Sequence, residues 1–82
     1  MKKVFINTDT INLDKFLKWS GCIQTGGEAK IVITEGAVKV NGEIETKRSR
    51  KLKISDIIEF NGESMIVCRR QGNNGSSESE AL

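Results

Sequence analysis

Val38-Lys39-Val40-Asn41-Gly42-Glu43-Ile44-Glu45 is the stretch that decides the fold. Valine alternates with lysine up to an Asn-Gly pair, which accepts the positive φ values that a two-residue type I′ turn demands, so a β-hairpin is predicted. A second Asn-Gly, Asn61-Gly62, follows Ile54 and Ile57-Ile58-Glu59-Phe60 and turns into Met65-Ile66-Val67-Cys68, predicting another hairpin.

Upstream of the hairpins the apolar period changes from two to that of a helix. Leu13, Phe16 and Leu17 fall at i, i+3 and i+4, with Asn12 placed to cap the helix and Gly21 to stop it. Lys15, Lys18 and Trp19 repeat the same spacing on another side. Thr25-Gly26-Gly27-Glu28 has the T-x-x-E spacing of a capping box and predicts the start of a second helix. That helix buries Ala29, Val32 and Ile33, turns Lys30 away from them and ends at Gly36. Lys2-Lys3-Val4-Phe5-Ile6 reads as a first strand without a local partner, followed by a polar turn over Asn7-Thr8-Asp9-Thr10. The expected class is α+β, with two short helices packed on a small antiparallel sheet with hairpins.

Eighty-two residues suffice for one domain, expected over 1–71. From Gly72 the chain offers almost nothing apolar to bury, and 72–82 is expected to be a disordered C-terminal tail. No apolar run is long enough for a bilayer and no signal-peptide pattern follows Met1, so a soluble cytoplasmic protein is expected. The net charge of +2 hides an uneven distribution: residues 1–71 hold all thirteen Lys and Arg against nine of the eleven Asp and Glu, a net of +4.

Chemistry-bearing patterns are scarce. Cys22 and Cys68 have no CxxC spacing and are expected as reduced, partly buried thiols; without histidine, the commonest general base and metal ligand are missing too. No GxxxxGK[ST] loop is present, and Asp14, Glu28, Glu35, Asp56 and Glu59 fall at caps, helix positions and turns. These features argue against an enzyme and against a cofactor, a metal or a small-molecule substrate.

With the elements in place, Leu13 to Phe60 resembles the S4 RNA-binding domain family. The matching residues are Leu13-Asp14, Leu17, Gly21, Thr25, Ala29, Ile33, Glu35-Gly36, Val38, Val40-Asn41-Gly42, Lys51-Leu52 and Asp56-Ile58. Lys18-Trp19-Ser20-Gly21 and Thr25-Gly26-Gly27-Glu28-Ala29-Lys30 are similar to the stand-alone bacterial subgroup of YaaA and YbcJ type. The resemblance implies the αL motif, two helices and a hairpin that dock on structured RNA such as ribosomal RNA or tRNA. One departure stands out: many members start the second helix with Ser-Arg, where this chain has Thr25-Gly26. Lys30 is the candidate replacement for that cation, or Gly26 and Gly27 admit a phosphate to the backbone N–H groups at the positive helix end.

Lys47-Arg48-Ser49-Arg50-Lys51-Leu52-Lys53 sets five cations in a row without an acid and is read as a basic loop near the start of the second helix. Lys47, Arg48, Arg50, Lys51 and Lys53 would neutralise phosphates, while a solubilising strand edge is the plainer alternative. Lys15, Lys18 and Lys30 extend the patch if the helices present them together. Trp19, the only tryptophan, is expected to cover the helix–helix corner, with base stacking as the alternative. The expected function is a non-catalytic, monomeric binder of structured RNA. DNA association or a protein-interaction adaptor are the competing readings.

Overall fold

A computed structural model describes residues 1–70, so the tail expected over 72–82 lies outside the described residues. The order of elements is β1 (Lys2–Ile6), β2 (Thr10–Asn12), α1 (Leu13–Trp19), α2 (Gly26–Thr34), β3 (Val38–Val40), β4 (Glu43–Ile44), β5 (Lys51–Lys53), β6 (Ile57–Phe60) and β7 (Glu63–Arg69). Both predicted hairpins form. Asn41 (φ 52°) and Gly42 (φ 87°) join β3 to β4, and Asn61 (φ 55°) and Gly62 (φ 79°) join β6 to β7, all in the left-handed region that a type I′ turn needs.

The hairpins combine into a five-stranded sheet of order β1-β7-β6-β3-β4. Its hairpin-derived strands are antiparallel, as expected, but β1 lies parallel to β7, with Val4 opposite Val67 and Ile6 opposite Arg69, so the sheet is mixed. A separate two-stranded sheet pairs β2 antiparallel with β5, setting Thr10 opposite Lys53, Ile11 opposite Leu52 and Asn12 opposite Lys51. Two expectations are corrected here. Thr10 belongs to a strand rather than a turn, and Lys51–Lys53 form a strand rather than the end of a loop, because each segment supplies the other's backbone partners.

The core lies between the helices and one face of the large sheet. Leu13, Phe16 and Leu17 of α1 and Ala29 and Ile33 of α2 are fully buried against Val4, Ile6, Val38, Val40, Ile58, Met65 and Val67, with Val32 half-buried at the margin. Helix α2 is capped as its sequence predicts, the Thr25 hydroxyl accepting from Glu28 N–H at 3.1 Å. Helix α1 is not capped in the predicted manner. Asn12 occupies the N-cap position without a side-chain hydrogen bond; instead Leu13 N–H donates to the Arg50 carbonyl (2.8 Å) and Asp14 N–H to the Arg48 carbonyl (3.1 Å). Two free donors of the first turn are thus satisfied by backbone brought from 37 and 34 residues downstream. Cys22 and Cys68 are free, half-buried thiols. Among the described residues no helix is long and apolar enough to cross a membrane.

Candidate nucleic-acid interface

The same two carbonyls anchor the basic segment. Arg48 and Arg50 turn their carbonyl oxygens inward to the start of α1, so the segment is held at helix α1 by hydrogen bonds, and its side chains stay at the surface. Arg50 N–H donates to the Lys47 carbonyl at 3.1 Å, closing a turn over 47–50. Glu45 organises this turn from outside the cationic run. One carboxylate oxygen accepts from Thr46 N–H and Lys47 N–H, each at 3.1 Å, and the other takes the Arg50 guanidinium at 2.7 Å. The Lys47 N–H hydrogen bond, followed by the Arg50 hydrogen bond, holds the Glu45 carboxyl below the ordinary carboxylate range.

Strand β5 carries the rest of the run outward. Leu52 is fully buried, whereas Lys51 and Lys53 alternate to the opposite face and are exposed. Directly opposite residues of an antiparallel pair share a face, so Lys51 and Lys53 stand beside Asn12 and Thr10. From there a shallow groove lined by Thr8, Thr10, Ile11, Asn12 and Lys15 leads to a second, lined by Ile11, Lys15, Lys18 and Trp19. Ile11 and Lys15 line both. The fold thus holds the Lys47–Lys53 run at the start of the helix that carries Lys15 and Lys18.

Gly26, Gly27 and Lys30 stand apart on α2, which packs on α1 through its buried face. All three are exposed. A Cβ at either glycine would meet nothing within 4 Å, so the protein's own packing does not require glycine there. Trp19 differs from its expected place: its indole N–H donates to the Phe5 carbonyl of β1 at 2.6 Å, so the ring lies at the end of β1 instead of the helix–helix corner. Among the described residues the side-chain ion pairs are Arg50–Glu45 and Arg69–Asp9, which leaves Lys47, Arg48, Lys51, Lys53, Lys15 and Lys18 without a carboxylate partner there. Sequence reasoning missed Glu45, Ile11 and Thr10. A glutamate two residues before Lys47 was the available signal for the first; the other two join the surface only through the β2–β5 pairing.

The model of the S4 domain family matches residues 4–68, and the chain belongs to this family. Among its relatives is the Bacillus subtilis (strain 168) protein RlbA, named for ribosome maturation, 42% identical over 59 residues that cover 72% of this chain and 83% of the relative. YbcJ of Escherichia coli (strain K12), named for RNA binding, is 39% identical over 57 residues, covering 70% of this chain and 81% of YbcJ. The solution structure of YbcJ, described as revealing an αL motif involved in RNA binding, matches with a TM-score of 0.64 at 33% identity over 83% of this chain and 87% of that one. The crystal structure of the 30S ribosomal protein S4e from Thermoplasma acidophilum matches with a TM-score of 0.54 at 27% identity, over 71% of this chain and 31% of that longer protein. The fold is therefore the αL arrangement that the sequence led us to expect. Family membership ranks the chain with non-catalytic S4 modules and not with enzymes.

Proposed function

We propose that this chain is a non-catalytic RNA-binding module that takes structured RNA through phosphate contacts from its basic αL surface. The observation that carries this reading is that the Arg48 and Arg50 carbonyls hold the Lys47–Lys53 run at the start of α1, the helix that carries the exposed Lys15 and Lys18. Cations gathered close together on a small domain repel one another, an unfavourable arrangement that a polyanion relieves. Lys47, Arg48, Lys51, Lys53, Lys15 and Lys18 act as phosphate neutralisers, and Arg50 joins them by exchanging Glu45 for a phosphate. Lys30 and the uncrowded backbone at Gly26 and Gly27 form a separate patch on α2 that admits a phosphate to the helix start.

Ribosomal RNA is the favoured target over tRNA, because the relative RlbA is named for ribosome maturation. The module works as a cytoplasmic monomer. The test is charge reversal at positions whose side chains make no intramolecular ion pair among the described residues. Arg48→Glu with Lys51→Glu is expected to abolish binding to a ribosomal RNA hairpin while far-UV circular dichroism and melting temperature stay unchanged. Undiminished affinity in that variant would remove the site, and preference for duplex DNA over hairpin RNA in competition would remove the RNA assignment.

A further inference from the structure

Trp19 has features that a phosphate-binding surface does not use. Its one polar atom is already satisfied by the Phe5 carbonyl at 2.6 Å, which fixes the indole in place, yet 52% of the residue is exposed. Large apolar rings held rigidly at a surface lose little side-chain freedom when something packs on them. The ring lies between two grooves, one shared with Ile11, Lys15 and Lys18 and the other with Ile6, Asn7, Thr8 and Ile11. Half-buried Ile11 thus supplies an apolar floor common to both. The two lysines stand on the rim, four residues and one residue before Trp19 on the same helix.

We infer that Trp19 and Ile11 form a stacking site for one unpaired nucleobase, whose flanking phosphates meet Lys15 and Lys18. This rests on the phosphate-binding reading above and adds the class of RNA: a loop, bulge or single-stranded end next to a helix, not a continuous duplex. The physical grounds are complementary. A base offers an aromatic face to the indole and an anionic backbone to the two ammonium groups, whereas paired bases are already stacked on their neighbours and expose only edges and phosphates. Asn7 and Thr8 line the second groove beside Trp19, where polar base edges would come to rest.

Because Trp19 is the only tryptophan, its emission reports the site directly in the unmodified protein. Titration at low salt with a hairpin RNA carrying an unpaired loop is expected to quench that emission, and a blunt, fully paired RNA duplex of equal phosphate number is expected to bind without quenching. Trp19→Ala should weaken the hairpin by about tenfold and leave the duplex unchanged, with Trp19→Phe retaining most of the hairpin affinity because a ring remains. Hairpin binding without quenching, or equal losses for hairpin and duplex in Trp19→Ala, overturns the stacking site while the phosphate surface stands. Failure of both RNAs to bind the unmodified protein overturns the two together.

Discussion

Asn41 illustrates how one residue can join two elements. It adopts φ 52° in the first hairpin turn, its side-chain oxygen accepts from Ile57 N–H at 2.9 Å, and its amide donates to Asp56 at 3.2 Å. Asp56 in turn accepts from Lys53 N–H at 2.8 Å, so the turn after β3 is tied to the end of the basic strand. Asn41→Ala should cost about 1–3 kcal/mol in urea unfolding, since it removes both bonds and leaves a Cβ residue with positive φ lacking asparagine's local compensation. Asn41→Gly should cost less, because glycine accepts that backbone freely. Glu45 is the second residue with a separable effect. Its lowered folded pKa means that its contribution is fully present above the ordinary glutamate value of 4.5 and is lost as pH falls through the lower folded value. Order in the 45–50 turn, followed by amide exchange or NMR shifts, is therefore expected to be flat from pH 8 to 5 and to decay below about 4.5. At pH 7 Glu45→Gln removes a charge that competes for Arg50. Its affinity for hairpin RNA should rise at low salt, by a factor that shrinks as salt increases.

At the scale of elements, the parts of the candidate surface were legible to different degrees. The Asn-Gly hairpins and the helix stripes are local patterns, and they stand where period and turn chemistry predict them. Strands β2 and β5 are three residues each, and Lys-Leu-Lys reads as readily as a charged loop as it does as a strand. Only the partner, some forty residues away, decides between them. The cations of the candidate site were legible because charge is a property of composition. Its groove was not, since Ile11, Lys15 and Trp19 come together only once β2 and α1 are set against β1 and β5. Helix α2 offers a test at this scale. Gly27→Ala should stabilise the protein by about 0.5 kcal/mol in thermal or urea unfolding, because the added methyl meets open space and lowers the entropy of the unfolded chain. If phosphates approach the helix start there, the same change weakens RNA binding; stability and affinity are then expected to move in opposite directions.

Over the whole molecule the charges are sorted, with five cations in one seven-residue run held at the start of the helix that carries two more. Affinity for single-stranded or loop RNA should therefore fall steeply with salt, with a log-log slope of roughly −3 to −4 if about five phosphates are neutralised. A slope near zero in a salt titration would mean that the surface is not used for phosphate.

The parallel pairing of β1 with β7 has a consequence in time as well as in space. Val4 finds its neighbour Val67 only when nearly all of the described chain exists, and β7 also separates β1 from β6 in the sheet. Contacts so distant along the chain are the slow ones to close, and until they close β1 has unpaired N–H and C=O groups and the apolar faces of α1 and α2 lack much of the sheet they cover. During synthesis the basic run, ending at Lys53, emerges from the ribosome ahead of β7, which begins at Glu63. Its charge precedes its shape: a nascent chain can attract RNA without selectivity, and the geometry that sets lysines beside a fixed tryptophan belongs to the finished protein alone.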